Sequence, residues 1–145
     1  MTQFNYKIEG NRLHEELINN TVPQTIWQKI YLHLKKLGYE VYSPGQKRDK
    51  CTENYVVIKE NGTHALISNV SGYKLFDIII YSPLSNYSSM EFYIENIKKA
   101  MDKINDLRPT GNETPAIIDD EVKAYTTSIE YQQFKSLRRN NNDYR

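Results

Sequence analysis

Across Pro83 the spacing of the apolar residues changes from strand-like to helix-like, and this constrains the fold more than any other feature of the chain. Before the proline, Tyr73–Ser82 carries Leu75, Phe76, Ile78, Ile79 and Ile80 on both faces of an extended run. Apolar residues on both faces predict a central strand that is covered on both sides. Pro83 closes it, because proline removes a backbone donor. After it, Met90, Tyr93, Ile94, Ile97, Met101, Ile104 and Leu107 fall on one helical stripe, with Glu91, Glu95, Lys98, Lys99 and Lys103 largely outside it. Ser88 and Glu91 have the spacing of a capping box, which predicts Ser88 as the N-cap.

The remaining segments read around this pair. Gln24–Leu37 places Ile26, Trp27, Ile30, Tyr31, Leu34 and Leu37 at helical spacing, and Gly38 supplies the left-handed residue that ends such a helix. Tyr39–Ser43 predicts a short strand, closed by a Pro44-Gly45 turn and followed by the charged loop 46–50. Asn54–Glu60 is rich in β-formers, and Asn61-Gly62 is the strongest short-range hairpin signal available, so Thr63–Ser68 is expected as a return strand. Arg108–Glu121 predicts a long loop without secondary structure of its own, an uncommon feature inside a small domain. Val122–Phe134 alternates, with Tyr125, Thr127, Ile129 and Tyr131 on one side and Ala124, Thr126, Ser128 and Glu130 on the other. Tyr125, Ile129 and Tyr131 are expected on its more buried face.

The order helix, strand, hairpin, strand, helix, long loop, strand predicts an α+β fold. It comprises a single antiparallel or mixed sheet of four to five strands with two main helices against it. Residues 1–23 read as an N-terminal extension, 24–137 as the domain and 138–145 as a polar tail. Within the extension, TQFNYKI (2–8) has the pattern of a short strand, and Leu13, Leu17 and Ile18 lie on one side of a short helical turn.

Little in the chain points to reaction chemistry. A length of 145 residues with 39% hydrophobic content suits one modest core, and a net charge of +1 gives no general attraction to nucleic acid or acidic lipid. The longest apolar run, Ile78–Tyr81, falls far short of the ~20 residues of a membrane span, and the N-terminus lacks the apolar core of a secretory signal. A soluble protein made inside the cell, with no membrane contact, is the expectation. Cys51 is the single cysteine, and His14, His33 and His64 lie in different elements without a ligand at metal-binding spacing. Glu113 and the run Asp119-Asp120-Glu121 read as a solvated acidic surface, because no phosphate-gripping loop accompanies them. Lys47, Arg48 and Lys50 could meet only a few phosphates, which predicts weak and salt-sensitive binding to nucleic acid at most. No cofactor, no metal and no catalytic residue are expected.

Three blocks carry a resemblance: GYEVYSPGQKRDKCTENYVVIKENGT (38–63), FDIIIYSPLSNYSSMEFYIENIKKAM (76–101) and LRPTGNETPAIIDDEVKAYTTSIEYQQFK (107–135). Together they resemble small head–tail joining proteins of long-tailed bacteriophages and prophages of Gram-positive bacteria, and most of all the tail terminator, or tail-completion, proteins. The resemblance implies a structural virion protein of the neck, made in the bacterial cytoplasm and located at the top of the tail. It implies a hexameric ring that closes the tail tube and offers a docking surface to the head–tail connector or head-closure protein. The implied partners are further copies of the chain, the tail tube protein, in contractile-tail relatives the sheath protein, and double-stranded DNA passing through the lumen without specific binding. Lys47, Arg48, Lys50, Arg108, Glu113, Asp119, Asp120 and Glu121 are the expected interface or lumen residues, with 108–121 ordered only in the ring. The alternatives are another neck or minor capsid component, the cap of a headless contractile tail-like bacteriocin, and a small nucleic-acid-binding regulator.

Overall fold

The computed structural model describes residues 22–23, 25–66 and 71–136, with Lys135 and Ser136 described by backbone alone. In chain order it has α1 (Ile26–Lys36), β1 (Val41–Tyr42), β2 (Tyr55–Ala65), β3 (Ser71–Pro83), a 3-10 turn (Leu84–Asn86), α2 (Tyr87–Met101), β4 (Arg108–Glu113), β5 (Ile117–Asp119) and β6 (Ala124–Ser136). The strands form one mixed sheet in the order β1-β2-β3-β6-β4, with β5 also pairing β6. The fold is α+β, and its six strands exceed the four to five expected. The strand and helical turn expected before residue 22, and the polar tail, lie outside the described residues.

β3 is central, flanked by β2 and β6 in antiparallel register. Its alternate side chains Phe76, Ile78 and Ile80 are fully buried, together with Val56 and Ile58 of β2 and Ile129 and Tyr131 of β6. Against them pack Ile30 and Leu34 of α1 and Met90, Ile97 and Met101 of α2. Both helices therefore cover the same face. Among the described residues, the opposite face has a small cluster at one end, formed by Cys51, Tyr55, Val57, Val122 and Ala124. Leu75, Asp77 and Ile79 are merely half-buried there. The expectation that β3 is covered on both faces is thus corrected: among the described residues, no helix lies over its second apolar row.

Side-chain to backbone bonds fix how the helices sit. Trp27 Nε1 donates to the Ile58 carbonyl at 2.8 Å. His33 Nε2 lies 2.7 Å from the Ala100 carbonyl, which can only accept, so the proton is on Nε2. Thr25 and Gln28 form a reciprocal capping box at the start of α1. At its end Gly38, at φ 93°, allows Gly38 N–H to reach Lys35 C=O and Tyr39 N–H to reach Leu34 C=O, the paired bonds of a Schellman motif.

Three local expectations are corrected, two of them by longer-range pairing. Asn61-Gly62 makes a bulge inside β2, because Thr63, His64 and Ala65 go on to pair with Lys74, Tyr73 and Gly72 of β3. Gly62, at φ 82°, supplies the conformation that a turn or a bulge can equally use. The capping box at Ser88 is absent: α2 begins at Tyr87 behind Asn86, and Ser89 Oγ donates to the Asn86 carbonyl instead. The predicted loop 108–121 is largely β4 and β5, held on β6. Its regularity is hidden because β4 bulges between Pro109 and Glu113 around Gly111.

Gly72 marks the tightest approach in the sheet. A Cβ there would stand 2.5 Å from the His64 carbonyl oxygen, a backbone atom that cannot move without parting β2 from β3. Gly72→Ala should cost about 1–3 kcal/mol, the usual range for overpacking, measured as a fall in urea midpoint at unchanged slope.

Candidate functional site

The two charged segments of the sequence meet at one end of the sheet. The segment between β1 and β2 is folded on itself: Ser43 C=O accepts from Gln46 N–H, and Arg48 Nε donates to Gly45 C=O at 2.9 Å. Lys47 lies 3.3 Å from Asp49 and over the rings of Tyr42 and Tyr55, and the bond to Asp49 raises its pKa. Cys51 N–H then donates to Val122 C=O at 2.7 Å, which ties this segment to the turn after β5. In that turn Asp119 Oδ1 accepts from Glu121 N–H, and Asp120 and Glu121 are exposed. Lys47, Arg48, Lys50, Asp119, Asp120 and Glu121 therefore belong to one composite corner. Of Lys47, Arg48 and Lys50, Lys50 alone has no hydrogen bond or ion pair among the described residues.

Beneath this corner lies an aromatic stack. Tyr55 and Tyr81 are parallel with centroids 4.7 Å apart, and Tyr42 meets Tyr55 edge-on. Burial raises the pKa of both Tyr55 and Tyr81, and the charge of Asp119 adds to it. Burial likewise raises the Cys51 thiol, whose S–H donates to the Glu53 carbonyl. A thiol held protonated is poorly placed to act as a nucleophile.

The other two expected residues lie elsewhere. Glu113 pairs with Lys98 of α2 at 2.9 Å, fastening β4 to the helix layer. Arg108 stands opposite Gln132, whereas Asp119 stands opposite Ala124. Eight positions along β6 separate them by roughly 26 Å. Arg108 borders a shallow cleft with Tyr73, Asn105, Asp106 and Phe134.

The uncovered sheet face holds a feature that sequence reading missed. Lys59, Asp77 and Glu130 stand side by side on adjacent strands. Asp77 and Glu130 are directly opposite, an unfavourable placement for like charges. Glu130 accepts from Thr110 Oγ1 at 2.8 Å and Asn112 Nδ2 at 2.9 Å, so the β4 bulge holds it in place. Burial, and then the neighbouring Glu130, push the Asp77 carboxyl up, with Lys59 working against them. Around this row lie half-covered Tyr73, Leu75 and Ile79 and, from β5, the 61% exposed Ile117. An aspartate inside an isoleucine run was the available signal.

Among the described residues, no group of three or more His, Cys, Asp or Glu could hold a metal ion. Likewise among them, no helix is long and apolar enough to cross a membrane. No family model matches the chain. No curated protein matches it either.

The carboxyl of Asp77 gives a pH test. Its folded pKa is raised, so the stability it contributes is full below the ordinary value of 3.8 and is lost as pH rises through the folded value. Asp77→Asn should therefore stabilise the protein at neutral pH by a few tenths to about 1 kcal/mol, the range of a cross-strand charge pair. The gain should vanish in acid, where the wild-type side chain is also neutral; thermal unfolding at both pH values checks this.

Proposed function

We propose that the protein is a structural ring subunit of the neck of a long-tailed phage or prophage, a tail terminator that closes the tail tube and receives the head connector. It works by presenting surfaces to neighbours and carries out no reaction. The observation that most supports the reading is the one-sided sheet, whose second face offers half-covered Tyr73, Leu75 and Ile79 around a row of charges. A ring needs two unlike patches on each subunit that fit one another. The second face and the charged corner at 47–50 and 119–121 are unlike in this way, one broad and mixed in polarity, the other narrow and ionic. Acidic side chains turned to the lumen would repel passing DNA and keep it from adhering.

The ring is expected to be six-fold and to sit at the top of the tail beneath the head. It need not form in the purified subunit. A reconstruction of the particle with one copy, or with five-fold order, at that position refutes the reading.

Within the charged corner Lys50 is the cation free to reach a neighbour, since Lys47 and Arg48 are engaged inside the subunit. Lys50→Ala should account for most of the assembly defect of a triple Lys47, Arg48 and Lys50 replacement by alanine. Wild-type assembly should weaken with salt, because exposed charge pairs are screened over about 10 Å at 0.1 M. Sedimentation over a salt series measures both effects; triple-variant assembly equal to wild type would remove the corner from the interface.

A further inference from the structure

Asn61-Gly62 is a motif that the proposed function leaves unused, and the chain has no second Asn-Gly pair. Both residues are exposed. Neither has a partner in the β2–β3 register, which passes from Glu60 opposite Phe76 to Thr63 opposite Lys74. Three steps along β2 thus stand against two along β3, the mismatch that leaves a bulged residue out of the ladder. Gly62 holds φ 82°, and among the described residues no other group lies within 4 Å of where a Cβ would sit there. A glycine in such a place offers the preceding side chain an unhindered main-chain nitrogen, because it has no Cβ of its own.

We propose that Asn61 is a site of spontaneous covalent modification, at which the bulge lets the Gly62 main-chain nitrogen close a succinimide on the Asn61 side chain. The Gly62 nitrogen gives up its proton and bonds to Asn61 Cγ. The Cγ–Nδ2 bond breaks, and the amide nitrogen leaves with that proton as ammonia. Water then opens the ring at one of its two C–N bonds. Breaking the new bond to Cγ gives aspartate; breaking the original peptide bond gives isoaspartate, in which the chain runs on through Cβ and Cγ. Either way one water enters, one ammonia leaves and a carboxylate replaces an amide. Isoaspartate also adds one main-chain carbon between Glu60 and Thr63. The paired arm beyond has no slack to absorb it, since a Cβ on Gly72 would stand 2.5 Å from the His64 carbonyl oxygen and 3.1 Å from Ala65 Cα. The added length therefore parts 63–65 from 72–74. Val56 and Ile58, which belong to the buried row, lie before the bulge and keep their pairing.

The test ages the purified full-length chain at mildly alkaline pH, folded and in urea. Mass spectrometry and isoaspartyl-specific methyl transfer follow the peptide that contains residue 61. The folded rate should lie within about tenfold of the rate in urea, because a site already outside the ladder needs no local opening. A folded rate slower than that, or no isoaspartate at this position, overturns the site. Asn61→Gln, whose longer side chain would have to close a larger ring, should lose the signal from this peptide. Hydrogen exchange on the aged chain reads the consequence: 63–65 and 72–74 should exchange faster, 56–58 should not, and aged Asn61→Gln should show no change. Unchanged exchange in chains that carry isoaspartate, or faster exchange at 56–58 as well, overturns the local parting of the strands.

Discussion

Burial of a single face of three adjacent strands is the constraint on which the rest of the structure depends. Phe76, Ile78 and Ile80 of β3 meet Val56 and Ile58 on one side and Ile129 and Tyr131 on the other, and both helices close over this row. Each large apolar side chain buried there contributes about 1.5–3 kcal/mol. The polar ties from Trp27 to Ile58 and from His33 to Ala100 are smaller net contributions. Their effect is directional: they set where α1 lies over the sheet and leave both helices on the same side of it.

Elements whose pattern is local and periodic were legible in the sequence. α1, α2, β3 and β6 follow from helical stripes or alternation, and the end of α1 follows from Gly38. What escaped depends on distant partners. Arg108–Glu113 and Ile117–Asp119 become strands because β6 supplies the matching backbone groups, and nothing within 108–121 announces that edge. Asn61-Gly62 shows the converse: a strong local signal was absorbed as a bulge because β3 runs on past it. The capping box was a different miss, since Thr25 and Gln28 have the required spacing in plain view. Apolar residues on both faces of β3 do not by themselves require two cover layers, and Leu75 and Ile79 stay half-buried.

The candidate site divides along the same line. The charges at 47–50 and 119–121 could be picked out singly, but their union depends on one backbone bond between Cys51 and Val122. Glu113 was visible as a charge and not as the partner of Lys98, which lies on the helix layer. The opposition of Asp77 and Glu130 was invisible, because it exists only once β3 and β6 are in register. Tyr55 stacks on Tyr81 and Tyr42 meets Tyr55 edge-on, so these three rings are occupied in the fold.

Among the described residues no helix covers the face of Tyr73, Leu75, Asp77 and Ile79, which leaves their apolar surface partly in water. A neighbour that binds only the folded chain adds stability by mass action, so folding and assembly become linked quantities. Burying Asp77 and Glu130 against further carboxylates carries a desolvation cost that the neighbouring Lys59 offsets only in part. A partner surface bearing a cation, or one that leaves the row in contact with water, escapes that cost. The same residues that lower the stability of the lone subunit therefore discriminate among the surfaces it can join.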